Sequence, residues 1–140
     1  MARLVVVSNR VAMLRDRAAR AGGLAVALRE SLQQHGGLWF GWSGEINDAP
    51  SPEPRGARQG RVDYAVLDLT TEEHKGFYLE FSNGMLWPLC HYRLGLIEFR
   101  RSAWDSYLAV NARFADQLVT ELKPDDVIWI HDYHFIPLAA

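Results

Sequence analysis

The chain has 140 residues, 49% of them hydrophobic and 23% charged, a globular composition with room for one domain and not comfortably for two. Its net charge of −2 provides no basic field for nucleic acid, and its longest apolar runs are far too short to cross a membrane. Cys90 is the only cysteine, which excludes an internal disulfide and fits a reducing cytoplasm, and "MARLVVVSNR" lacks the apolar length and cleavage site of a signal peptide.

"RLVVVS" (Arg3–Ser8) is β-branched and does not alternate, which predicts a strand buried on both faces of a parallel sheet. In "AGGLAVALRESLQQHGG", Leu24, Leu28 and Leu32 recur every fourth residue. They predict an amphipathic helix from near Gly23 to just before Gly36. "LWFGW" (Leu38–Trp42) reads as a second short strand. Residues 46–60 are rich in Pro, Gly and charge and read as a solvated loop. "VDYAVLDL" (Val62–Leu69) reads as a third strand, with Val62, Tyr64 and Val66 on one side.

Thr70 and Glu73 have the spacing of a capping box. The short helix they open carries Phe77 and Phe81 on one face and is expected to end at Asn83-Gly84. Pro88 predicts an irregular "MLWPLCHYR". Ser102 is the expected cap of a long helix through Leu122, supported by Trp104, Leu108, Ala115, Leu118 and Leu122. "VIWI" (Val127–Ile130) reads as a buried strand, and "HFIPLAA" as the start of a helix with Pro137 in its first turn. Strands alternating with helices predict an α/β fold with a largely parallel sheet.

In such sheets ligands bind beyond the carboxyl ends of the strands. The first strand delivers Ser8, Asn9 and Arg10 there, and the last delivers His131, Asp132, Tyr133 and His134. Arg10 has the planar, permanently charged fork that suits phosphate, although a surface salt bridge would use it equally well. Asp132 could accept hydrogen bonds from neighbouring sugar hydroxyls or cap the helix that follows. Gly22 and Gly23 before a helix favour an anion close to the backbone, or simply a turn. No dinucleotide fingerprint and no P-loop is present.

His131 and His134, three apart on a strand, would project to opposite faces and chelate poorly, so no metal is expected. Tyr78 and Trp87 could stack on a pyranose or pack in the core.

The blocks "RLVVVSNR", "AGGLAVAL", "GGLWFGWSGE", "FSNGMLWPLCHYR", "AWDSYLAVN" and "VIWIHDYH" occur in the order found in one family. Together they resemble the N-terminal part of the trehalose-6-phosphate synthases, retaining glycosyltransferases of the GT-B fold. The resemblance implies two Rossmann-like domains facing a cleft. It implies glucose transfer from a nucleotide-glucose, usually UDP-glucose, to glucose 6-phosphate, giving α,α-trehalose 6-phosphate without metal or other cofactor.

On that resemblance, residues 1–140 are a partial N-terminal, acceptor-side domain, and the C-terminal donor domain is absent. Arg10 matches an acceptor-phosphate ligand, Tyr78 and Trp87 match acceptor-pocket aromatics, and Asp132 matches a ligand of glucose hydroxyls. Trp42 is added to the same pocket. Gly22 and Gly23 match a loop lying against the donor. The histidine that the family uses in transfer falls beyond residue 140, so no catalytic residue is assigned and the 140 residues alone are expected to be inactive. Homo-oligomerisation of a full-length form stays open. The rival expectations are an inactive truncated or split-gene remnant that at most binds sugar phosphate, and a metal-dependent hydrolase built on His131, Asp132 and His134. An isolated chain is further expected to expose apolar surface at Val127–Ile130.

Overall fold

The computed structural model describes residues 2–11 and 23–140. The first apolar run forms β1 (Leu4–Arg10), and α1 (Gly23–His35) begins and ends where the leucine spacing and the flanking glycines place it. β2 (Gly37–Ile46), β3 (Arg55–Gln59), β4 (Val62–Leu69) and β5 (Val127–Ile130) join β1 in one sheet of order β3-β4-β2-β1-β5. β1, β2, β4 and β5 run parallel, and β3 is antiparallel to β4. The described residues therefore have the expected α/β architecture.

Strand alternation splits the core into two layers. Val5, Val7, Leu38, Phe40, Ala65, Leu67 and Leu69 point to one side. There they meet Phe77, Phe81, Tyr107, Val110, Phe114 and Phe135. Val6, Trp39, Val62, Tyr64 and Val66 point to the other side and pack under Leu28 and Leu32 of α1. Both faces of β1 are thus covered, which is why its sequence does not alternate.

Several expectations need correction. The 46–60 segment is not loop throughout, because β3 lies in its second half. The polar "RGARQ" has no apolar pattern to betray a strand, and its ladder with β4 rests on backbone bonds and on an Arg55–Asp68 ion pair of 2.9 Å. β2 continues past Trp42 because pairing with β4 resumes at Ile46↔Leu69 after an irregularity. "VIWI" is a strand but not a buried one. It pairs only with β1 among the described residues, leaving Val127, Ile128 and Trp129 43–55% exposed. Ser102 is not the cap of the long helix α4 (Arg101–Glu121), which starts after an extended Arg100 with no side-chain cap bond. Its buried face is Ala103, Tyr107, Val110, Asn111, Phe114 and Leu118, whereas Leu108 is exposed and Trp104 only partly covered.

The capping box is present. Glu73 N–H donates to Thr70 Oγ1 at 3.1 Å, and Thr70 N–H donates to Glu73 Oε2 at 2.9 Å, opening α2 (Thr71–Glu73). Arg113 of α4 donates to both oxygens of the same Glu73 at 2.9 and 2.8 Å. Thr70→Ala is expected to lower unfolding free energy by about 1 kcal/mol in urea denaturation, the usual cost of a lost cap. No change would mean that Arg113 alone holds the turn.

α2 does not stop at Asn83-Gly84. It widens into a π-helix (His74–Leu86) and then narrows into α3 (Trp87–Cys90), with Pro88 tolerated in the first turn. The wide segment bonds five residues back. Trp87 N–H reaches Ser82 O, and Ser82 Oγ donates to Phe77 O at 2.7 Å. A short 3-10 turn with Pro137 near its start, Ile136–Ala139, follows β5.

Candidate functional site at the strand ends

β1 and β5 are paired in register from Leu4↔Val127 to Val7↔Ile130, and His131 N–H donates to Val7 O at 2.8 Å. The polar residues that follow each strand therefore emerge side by side. They enclose a cleft of roughly 270 Å³ lined by Ser8, Asn9, Arg10, Tyr78, Asn83, His131, Asp132, Tyr133 and His134. A larger open groove, about 640 Å³, runs between the π-helix and α4. Its lining sets Glu72, Glu73, Glu80 and Asp105 against Lys75 alone, a net acidic wall that disfavours an anion.

Each wall of the cleft has a local cause. Ser8 Oγ accepts from Trp39 Nε1 at 2.8 Å and donates to Arg10 O at 3.1 Å, fixing the end of β1. The ladder slips between Ser8 and Arg10, so that Arg10 lies opposite Trp42. This bulge re-aims the end of the strand.

Tyr78 and Asn83 come from the π-helix. Five residues apart, they would diverge on an α-helix, but a helix that bonds i to i+5 brings both to the cleft. Asn83 was not anticipated as a site residue, because an α-helical period gives no reason to pair it with Tyr78.

The "HDYH" wall is held from α4. Tyr107 Oη donates to Tyr133 O at 2.6 Å, and Asn111 Nδ2 donates to His134 O at 3.1 Å and to Tyr107 O at 2.9 Å. Asn111 is 2% exposed, on a helix face otherwise apolar. A polar residue at such a position, four after a tyrosine, is the sequence signal that could have revealed this support.

Asp132 is exposed, adopts φ 67°, and accepts Tyr133 N–H on Oδ1 at 2.9 Å. Oδ2 makes no hydrogen bond among the described residues. Asp132 is not the cap of the final turn, since that position belongs to Phe135. The left-handed backbone costs energy that a neighbouring Tyr107–Tyr133 clamp can sustain.

His134 is 8% exposed, with Tyr133 4.3 Å and Tyr78 6.0 Å from its ring. Burial lowers its pKa to about 4, against a small opposing pull from Asp132, so the ring is neutral at pH 7. Burial also pushes the Tyr133 hydroxyl up to about 12 with help from the Asp132 charge, so that hydroxyl remains a donor. The cleft thus offers a guanidinium, a carboxylate, neutral donors and aromatic faces. Asn9 Oδ1 and both ring nitrogens of His131 are buried without hydrogen-bond partners among the described residues, so its floor holds polar groups still unsatisfied.

Of the residues singled out from sequence, Arg10, Tyr78 and Asp132 line this one cleft. Trp42 is 6% exposed and sits behind Tyr78, with ring centroids 5.6 Å apart, and its Nε1 donates to Glu45 O at 2.8 Å. It supports the wall rather than forming it. Trp87 is outside the lining, 40% exposed and stacked on His91 at 4.2 Å. Gly23 opens α1, and Gly22 lies outside the described residues. No group of three or more His, Cys, Asp or Glu is placed to hold a metal ion among the described residues, and the hydrolase reading gains no support. Among the same residues no helix is long and apolar enough to cross a membrane.

Residues 3–140 match the family model described as Glycosyltransferase family 20. A trehalose-6-phosphate synthase from Klebsiella pneumoniae is 51% identical over 140 residues, which is 100% of this chain and 29% of the relative. A crystal structure of an alpha,alpha-trehalose-phosphate synthase (UDP-forming) from Burkholderia vietnamiensis matches with a TM-score of 0.91 at 51% identity. The match covers 99% of this chain and 30% of that one. A Burkholderia xenovorans alpha,alpha-trehalose-phosphate synthase (UDP-forming), solved in complex with glucose-6-phosphate, matches with a TM-score of 0.89 at 44% identity, covering 98% and 29%. The chain therefore spans a little under a third of the length of these relatives.

Proposed function

Because the chain belongs to glycosyltransferase family 20, we propose that its strand-end cleft is the acceptor wall for glucose 6-phosphate in the synthesis of α,α-trehalose 6-phosphate. Residues 1–140 then form the acceptor-side part of an N-terminal GT-B domain. The nucleotide-glucose donor, usually UDP-glucose, lies across the cleft against a second domain, with Gly22 and Gly23 on its near side. A cytoplasmic location belongs to the same reading and rests on Cys90 being the only cysteine.

The observation that carries this reading is the meeting of Arg10 and Asp132 in one cleft with Tyr78 and the neutral His134. Arg10 takes the phosphate by charge-assisted hydrogen bonds. Asp132 accepts from sugar hydroxyls through the oxygen that Tyr133 leaves open. Tyr78 offers its ring to the apolar face of the pyranose. Holding the acceptor hydroxyl in place converts an encounter into a positioned reaction, and positioning is the contribution these residues make. Trp87 and Trp42 keep a place in the proposal only at a remove, since Trp42 backs Tyr78 and Trp87 stands away from the lining.

The test is a chimera in which these 140 residues replace the matching segment of the Burkholderia vietnamiensis synthase. It is expected to form α,α-trehalose 6-phosphate. Asp132→Asn within it should raise the KM for glucose 6-phosphate about tenfold, the loss of roughly one charge-assisted hydrogen bond, with the donor KM nearly unchanged. An effect confined to the donor KM would contradict the assignment.

A further inference from the structure

We infer that Gly44 is a positioning residue for the phosphate-binding guanidinium of Arg10. This rests on the reading of the cleft as a glucose 6-phosphate site. β2 runs beside β1, and after Arg10 has drawn level with Trp42 the irregular stretch of β2 between Trp42 and Ile46 carries Gly44 against the arginine side chain. A Cβ placed on Gly44 would stand 2.8 Å from Arg10 Nε and 3.1 Å from both Cζ and Nη2. The guanidinium therefore rests directly against the glycine backbone, in space that any side chain would occupy. Gly44 also has φ +88°, in the region that favours glycine.

The neighbouring glycines of β2 do a different job. At Gly37 and Gly41 an added Cβ would strike backbone, the carbonyl oxygens of Leu4 and Ser8, so those positions guard the sheet itself. At Gly44 the obstructing atoms are the far end of a flexible side chain. That end can swing aside at little cost to folding. A side chain at Gly44 thus displaces the guanidinium and adds the backbone strain of a positive φ, but it strikes no backbone, and the specific loss falls on the ligand group that Arg10 holds.

The test is titration of the 140-residue chain with glucose 6-phosphate and, separately, with glucose, for the unsubstituted chain and for Gly44→Ala, Arg10→Ala and the double substitution. Gly44→Ala should reduce the preference for glucose 6-phosphate over glucose about tenfold while leaving glucose binding unchanged. In the Arg10→Ala background it should have no further effect, since a positioning residue has nothing left to position. Gly44→Asn keeps positive φ accessible more readily than alanine while still adding a Cβ, and should reproduce the loss with less backbone strain.

An undiminished phosphate preference in both Gly44 variants, with Arg10→Ala losing it, would overturn the role of Gly44 and leave the cleft reading standing. An equal loss from Gly44→Ala with or without Arg10 would also overturn it, by making the effect structural. If Arg10→Ala leaves the preference intact, the phosphate assignment falls and this inference falls with it.

Discussion

Arg10→Ala is expected to cut the preference for glucose 6-phosphate over glucose about 30-fold, roughly 2 kcal/mol, with glucose binding itself little altered. Hydrogen bonds to a charged group contribute about 1.5–3 kcal/mol each. The lower part of that range applies here because Arg10 is solvent-exposed and its charge is screened. Arg10→Lys should fall between the two, since an ammonium keeps the charge but not the planar pair of donors. The loss should shrink as salt is raised. A substitution that weakens glucose and glucose 6-phosphate equally would mean that Arg10 shapes the cleft without touching the phosphate.

The second large effect is acid destabilisation. His134 has a folded-state pKa of about 4 against an ordinary value of 6.5, because burial disfavours the imidazolium. Between those values the unfolded chain binds a proton that the folded chain refuses. Stability from this group is complete above pH 6.5 and is lost as pH falls towards 4, amounting to roughly 3 kcal/mol. Asp126 then acts in the next window down. Arg3 grips both its oxygens at 3.0 and 2.6 Å and holds its pKa at about 2 instead of 3.8, so the stability from that pairing disappears as pH falls below about 4.

Urea denaturation at pH 7, 5.5 and 4.5 should show the first loss. A domain with ordinary stability of about 5–15 kcal/mol would feel it strongly. His134→Gln, which cannot be protonated in this range, should flatten the profile between pH 6.5 and 4. An unchanged slope in that variant would show that another group carries the transition.

Much of this was legible in sequence because the signals were local and strong. β1 had no polar face to hide, α1 was bracketed by glycines with leucines every fourth residue, and Thr70 with Glu73 gave a capping box that the hydrogen bonds reproduce. The rule that ligands bind beyond the carboxyl ends of parallel strands puts Arg10 and Asp132 at one edge of the sheet, and in the structure both line one cleft.

The misreadings arose where structure is set by partners distant in sequence. β3 is a strand because β4 pairs with it, not because of its own residues. The π-helix is invisible to a search for α-helical period, and with it went Asn83. The histidines of "HDYH" read as poor chelators, but their spacing does not say what else they do. His134 works as a buried neutral ring between two tyrosines, and only packing could reveal that. The exposure of β5 likewise depends on what stands beside it and not on the apolar character of "VIWI".

The most direct measurement of the central claim is the reference arm of the Arg10 experiment: residue-resolved nuclear magnetic resonance of the unsubstituted chain titrated with glucose 6-phosphate. Saturable shifts centred on Arg10, Tyr78, Asn83 and His131–His134, larger than those from glucose or inorganic phosphate alone, are the predicted result. Shifts centred elsewhere, or an equal response to glucose with and without its phosphate, would contradict it.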